Sequence, residues 1–249
     1  MNVDEPILTP KELLAYRRAT KTLQDFPPPE TVIFIPQKSL AKYILRRYFT
    51  KQIKGFLGEF YLLRKYKGKI AFSTGFGLGA PVVAGLTDEF CTLGVKQFFI
   101  IGMAGGLQPN LQTGSLILSS GAIRGEGVSR HYLSENEIVE SNTKLLEDFS
   151  QSLHAKNHPY SIGVTWTTDV PFREMKSQVT AYQSRGILAV DMEAAAMLSV
   201  AESNSRSGLA AFSISDSLAD GKWSMPKDLS PAQNGLFILF EALIDFLSK

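Results

Sequence analysis

Apolar residues along this chain recur in two rhythms. Short runs rich in β-branched and aromatic residues alternate, from Thr31 onward, with longer stretches whose apolar positions return every three or four residues. The runs 31–35, 70–73, 97–101, 115–123, 161–167 and 209–215 predict strands, and 40–48, 80–93, 142–153, 191–203 and 231–247 predict helices. Strands interleaved with helices predict a single α/β domain, a twisted, mixed and mostly parallel sheet flanked by helices on both faces as a three-layer sandwich. Residues 1–30 stand apart. They hold one short helical pattern from Lys11 to Arg18 and close on Pro27-Pro28-Pro29, which cannot be helix interior and reads as a stiff connector. That segment is read as an appendage to a domain spanning 31–249.

In such folds ligands bind beyond the carboxyl ends of the strands. Four expected strand ends draw notice: Gly75-Phe76-Gly77-Leu78-Gly79, Gly102-Met103-Ala104-Gly105-Gly106, Thr167-Thr168-Asp169 and Ser215-Asp216-Ser217. Glycines there let a backbone approach a ligand, and they serve tight turns equally well. Their spacing is not GxGxxG and no GK[ST] follows, so neither a dinucleotide nor a triphosphate site is supported. Asp191 and Glu193 sit at an expected helix start, where an acid complements the helix dipole by roughly 0.3 to 1 kcal/mol without any ligand. Asp216 can likewise be a helix cap. Single residues decide nothing here.

Composition narrows the class of partner. Of 249 residues 44% are hydrophobic, enough for one large core, and 26 Lys plus Arg against 24 Asp plus Glu leave a formal charge of +2. No strong field for nucleic acid or anionic lipid results, and a small molecule is the expected partner. Cys91 is the only cysteine, which excludes an internal disulfide and a thiolate zinc cluster. No stretch approaches the roughly 20 apolar residues of a membrane span. A reducing cytoplasm is expected, with no metal and no organic cofactor.

The residues gain meaning as a set. Gly94-Val95-Lys96 through Ile101-Gly102-Met103-Ala104-Gly105-Gly106-Leu107-Gln108-Pro109, then Gly114, resembles the central segment of nucleoside phosphorylases of both the uridine and the hexameric purine type. Gly75 through Pro81 resembles their glycine-rich turn, Val190-Asp191-Met192-Glu193-Ala194-Ala195 their Glu-Met-Glu-Ala segment, and Ser215-Asp216 the Ser-Asp of the purine enzymes. The resemblance runs from about Val32 to the C-terminus. It implies phosphorolysis of a nucleoside, with a purine favoured, to free base and ribose 1-phosphate; inorganic phosphate is co-substrate and the assembly a homodimer or homohexamer. By position, Glu193 binds the ribose hydroxyls and Met192 packs against the sugar. Asp216 matches the acid that serves N7 of the leaving base, a catalytic role that asks it to be protonated near neutrality, as burial at a strand end would favour. Ala104, Gly105, Asp169, Phe172 and Arg173 fall on the base side, where Phe172 either stacks on the base or packs in the core and Arg173 either contacts its edge or stands in solvent.

The phosphate cradle departs from the family's pattern. The early Pro-Gly-Asp-Pro segment reads Ile35-Pro36-Gln37-Lys38, with Gln37 at the glycine position; an expected arginine is Ile100 and an expected hydroxyl residue is Met103. Lys54 matches an arginine lent by a neighbouring subunit. Bidentate guanidinium contacts are the strong ones for a doubly charged anion, so the nucleophile side is left to Gly77, Met103, Lys54 and Arg124. Arg124 belongs with Glu126, Arg130 and His131 to a segment that resembles one flanking the uridine enzymes' site, or to a merely structural polar loop. Three readings stay open: a phosphorylase with a rebuilt anion site, a nucleosidase in which water attacks, and a nucleoside-binding or storage protein without turnover.

Overall fold

Alternation along the central strands divides the molecule into layers. In the computed structural model, which describes residues 6–134 and 136–248, the elements run α1 (Pro10–Ala19), β1 (Thr31–Ile35), α2 (Lys38–Arg47), β2 (Thr50–Ile53), β3 (Glu59–Leu63), β4 (Ile70–Thr74), α3 (Ala80–Thr92), β5 (Gln97–Gly106), β6 (Leu116–Gly125), β7 (Ile138–Glu140), α4 (Thr143–Ala155), β8 (Tyr160–Thr168), α5 (Lys176–Ser184), β9 (Ala189–Asp191), α6 (Ala194–Ser203), β10 (Ser207–Ser217) and α7 (Ser230–Leu247). Val32, Phe34, Phe98 and Ile100 pack beneath α3 and α6. Their neighbours Ile33, Ile35, Phe99 and Ile101 face α2, α4 and α7. Side chains that alternate across a strand, each buried, require helices on both faces, and both are supplied.

The sheet is mixed, with parallel ladders at its centre. β1 lies between β4 and β5, parallel to both. β5 continues parallel to β10 along its whole length, and β6 is parallel to β8. Antiparallel pairs β2–β3 and β3–β4 finish one edge. At the other end, β9 pairs with both β8 and β5 while β10 pairs with β6, so β5, β10, β6, β8 and β9 close into a ring.

Several boundaries differ from the sequence reading. β5 and β10 do not stop at residues 101 and 215: Gly102 to Gly106 remain strand, hydrogen-bonded to β10 and β9, and β10 runs to Ser217. At Gly105 and Gly106 a Cβ would crowd Leu218, Val190 and Ile214, a tertiary reason for glycine that no local propensity reveals. Residues 191–193 are not helix. Asp191 ends β9, and α6 begins at Ala194. β2, β3, β7, β9 and α5 are additions, being short or polar elements with weak periodicity of their own.

The segment ahead of β1 is fastened to the body. Leu14 of α1 is buried, Arg17 pairs with Glu89 of α3 at 2.5 Å, and Phe26 packs edge-on against Phe56 and Phe60. Among the described residues no helix is long and apolar enough to cross a membrane, and no three metal-binding side chains gather.

Candidate active site

The turn from β9 into α6 is where the site begins. A helix start leaves backbone N–H groups without partners, and here Asp191 Oδ1 accepts those of Glu193 (2.8 Å) and Ala194 (2.7 Å). Thr167 Oγ1, from β8, donates to Asp191 and accepts from the N–H of Ala195 at 2.9 Å. With the turn fixed, Glu193 projects toward the glycine-rich loop after β4, where the Gly79 N–H donates to its Oε1 at 2.7 Å. Gly79 has φ +100°, a region in which a side chain would be strained, so glycine is what lets that amide turn inward.

Asp216 arrives from β10 by way of a bulge. The ladder with β5 pairs Ile214 with Ala104 and Asp216 with Gly105, leaving Ser215 as the extra residue, and a bulge of this kind re-aims the side chains beside it. Gly105 makes the room: a Cβ there would lie 2.8 Å from Leu218 Cδ1, 3.2 Å from Val190 Cγ1 and 3.4 Å from Asp216 Oδ2. Both Asp216 oxygens accept hydrogen bonds, Oδ1 from Ser215 Oγ at 2.5 Å and Oδ2 from Trp223 Nε1 at 2.9 Å. Its seat is half-buried, not the sealed strand end expected from the sequence.

Glu193 and Asp216 line one cavity of about 830 Å³. Its walls are the ends of six strands: Pro36 after β1, Leu78 after β4, Met103 to Gly105 of β5, Phe172 after β8, Met192 after β9 and Ser215 of β10. This is where a doubly covered sheet is expected to bind. Four carboxyls, those of Glu174, Asp191, Glu193 and Asp216, line the cavity. Burial raises the Glu193 carboxyl to about 7, opposed by the Gly79 amide and reinforced by the charge of Asp191. Burial likewise lifts Asp191 to about 6 against the donors that surround it. Glu174 is raised to about 7, first by burial and then by the nearby charge of Asp216.

Of the candidates from sequence, Met192, Glu193, Asp216, Ala104, Gly105, Met103 and Phe172 line this cavity, and Phe172 is 98% exposed at its rim rather than packed in the core. Gly77, Lys54, Arg124, Asp169 and Arg173 do not. Arg124 is committed elsewhere: Nε donates to Ser129 Oγ (2.9 Å), Nη1 to the carbonyls of Ser134 (2.6 Å) and Asn136 (2.8 Å), and Nη2 to that of Leu133 (3.0 Å). Asp169 accepts from the Gly127 N–H at 2.8 Å and ties two loops together. Glu126 caps the turn 129–131 through the amides of Val128 and Ser129. Lys54 and Arg173 are exposed, and Gly77 faces open space. The lining also holds Glu174, Lys222 and Trp223, to which the sequence reading gives no role. An exposed tryptophan in the polar turn Asp220-Gly221-Lys222-Trp223 is the signal that was available for the last of these.

Two lysines, Lys176 and Lys222, line the cavity along with the four carboxyls, and among the described residues no arginine does. Gln37 Oε1 is buried there without a hydrogen-bond partner among the described residues.

Residues 36–235 match the family model described as the phosphorylase superfamily. A purine nucleoside phosphorylase of the DeoD type from Shewanella oneidensis is 27% identical over 191 residues, covering 75% of this chain and 81% of the relative. A uridine phosphorylase from Thermococcus kodakarensis is 30% identical over 105 residues, covering 42% of this chain and 38% of that one. The crystal structure of a uridine phosphorylase from Vibrio fischeri has the same fold, with a TM-score of 0.73 at 20% identity over 88% of this chain and 92% of the other.

Proposed function

The chain belongs to the phosphorylase superfamily, and from that premise we propose that it breaks the N-glycosidic bond of a purine nucleoside, inorganic phosphate taking the sugar as ribose 1-phosphate. The observation that carries the reading is that Glu193 and Asp216 line the same cavity, with Met192 beside the first and Trp223 beside the second. Glu193, fixed by the Gly79 amide, holds the ribose hydroxyls. As the C–N bond lengthens the ribose gains cationic character, and a carboxylate placed against it stabilises the transition state more than the substrate. Phe172 and Trp223 flank the heterocycle, and the carboxyls at that end meet the charge that gathers on the departing base. A positioned acid of this kind contributes on the order of 10² to 10⁴ in rate.

The nucleophile has two readings. Phosphate needs cations, and in this protomer the cavity lining offers Lys176 and Lys222 and, among the described residues, no arginine. Lys54, exposed on the turn between β2 and β3, is the residue a neighbouring copy would bring, so phosphorolysis goes with a homodimer or homohexamer. Attack by water is favoured by the same observation, since Gln37 is the polar side chain among Pro36, Leu78 and Met103 and an amide suits a neutral nucleophile better than a dianion. The deciding experiment is release of base from inosine, adenosine and uridine with and without phosphate. Release that requires phosphate establishes phosphorolysis, and release regardless of it establishes hydrolysis. Binding without release by either route refutes the enzymatic proposal and leaves a nucleoside-binding protein.

A further inference from the structure

Two carboxyls share the base end of the cavity, and their surroundings are opposite. Asp216 is engaged on both oxygens by donors that the protein holds in place, Ser215 Oγ–H and Trp223 Nε1–H. It is built as an acceptor. Glu174 leaves the turn 171–173 with φ −71° and ψ +91°, which carries it into the cavity lining after β8. Among the described residues no hydrogen bond or ion pair holds its carboxyl; burial and the Asp216 charge are what act on it. The charged groups around it are Arg173 and Lys176 on its own segment, Asp216 and Lys222 from the β10 side, and Asp191 and Glu193 across the cavity.

We propose that Glu174, not Asp216, is the acid that protonates the leaving base, and that Asp216 is the acceptor beside it. The inference rests on the reading that the site cleaves nucleosides. As the C1′–N bond breaks, its electron pair goes to the base, and N7 takes the proton from the Glu174 carboxyl, leaving a carboxylate. The base departs neutral. Phosphate, or water, bonds to C1′ and gives up a proton to solvent, and Glu174 recovers one from solvent before the next turnover. The two carboxyls divide the work because like charges placed close together resist being ionised together, so the one without donors keeps the proton.

This assignment fixes the shape of the pH profile. Glu193 must be ionised to hold the sugar and Glu174 must be protonated to serve the base, and each titrates near 7. kcat/KM of the whole protein on its best nucleoside is therefore a bell centred near neutrality. Glu174→Gln removes the alkaline limb, leaves the acid limb, and lowers kcat on the order of 10²-fold. Glu174→Asp retains an alkaline limb with reduced kcat, which distinguishes loss of the acid from loss of fold. Unchanged kcat with the alkaline limb intact in Glu174→Gln, or loss of that limb in Asp216→Asn instead, overturns the proposal while the glycosidic reading stands. Wild-type protein that releases base from no nucleoside sinks that reading itself.

Discussion

Glu193 is the residue whose replacement should make the protein more stable and less active at once. It is 6% exposed, and burial raises its carboxyl from an ordinary 4.5 to about 7. In the unfolded chain it ionises near 4.5. Between those two values the folded state binds the extra proton, so stability falls as pH rises through the window and is level above it. At 1.36 kcal/mol per pKa unit the loss is about 3 kcal/mol, or roughly 6 to 12 °C in Tm for a chain of this size. Glu193→Gln stays neutral throughout and its carbonyl can still accept the Gly79 N–H. Asp191 titrates in both proteins, so its contribution largely cancels in the difference. Equilibrium urea unfolding at about pH 5 and about pH 8.5 should find the variant ahead by about 1 kcal/mol in acid and by about 3 kcal/mol in base. Nucleoside kcat/KM of the variant should fall at least about 100-fold, because an amide cannot offer two acceptor oxygens to the sugar diol. Equal stability differences at the two pH values would refute the buried-carboxylate argument, and unchanged kinetics would refute the sugar contact.

Gly105→Ala places a Cβ against Leu218, Val190 and Asp216 Oδ2, so kcat should drop about 10- to 100-fold through misplacement of Asp216, while circular dichroism still reports the fold. Arg124→Ala removes the donors that tie the loop carbonyls of 133, 134 and 136; it should cost roughly 1 to 3 kcal/mol and speed amide exchange there, with KM for phosphate unchanged, whereas a large rise in that KM would return Arg124 to the nucleophile side. A protonated Glu174 beside an acceptor Asp216 matches the N7 acceptor and 6-amino donor of adenine better than the two acceptors of a 6-oxopurine, so adenosine should exceed inosine in kcat/KM by about tenfold or more, and the opposite order would contradict the pairing.

How far the sequence could be read depended on where each constraint originates. The alternation of Val32, Ile33, Phe34 and Ile35 carries both faces of the sheet, because burial on each side acts on neighbouring residues of one strand. The convergence of Glu193 and Asp216 is what the family resemblance implies rather than the local pattern. Asp216 ends an expected strand, whereas 191–193 read as a helix start, and the short β9 that brings Glu193 to the same crevice appears only in the structure. What could not be read arises from partners distant in sequence. Gly102 to Gly106 look like a loop until β9 and β10 are placed on either side. Arg124 looks like a free cation until the carbonyls of 133, 134 and 136 fold back onto it, and backbone carbonyls leave no trace in residue identity.

The same distinction bears on Asp216. As a single residue at a strand end it can be a helix cap, and its role as the acid is what the Ser215-Asp216 resemblance implies. Which protonation state it suits depends on the donors nearby, and one of those, Trp223, comes from the turn seven residues further on. Glu174 sends the weaker signal, an acid between Arg173 and Met175 at the exit of a short 3₁₀ turn that any surface loop could carry. Its place becomes visible only when the cavity walls bring it near Asp216 with no hydrogen-bond donor to it among the described residues. A site built on proton transfer is therefore located by its charged residues but divided into roles by their hydrogen-bond partners. In the reading proposed above, these partners give the acceptor role to Asp216 and the donor role to Glu174, whose carboxyl has no hydrogen-bond donor among the described residues.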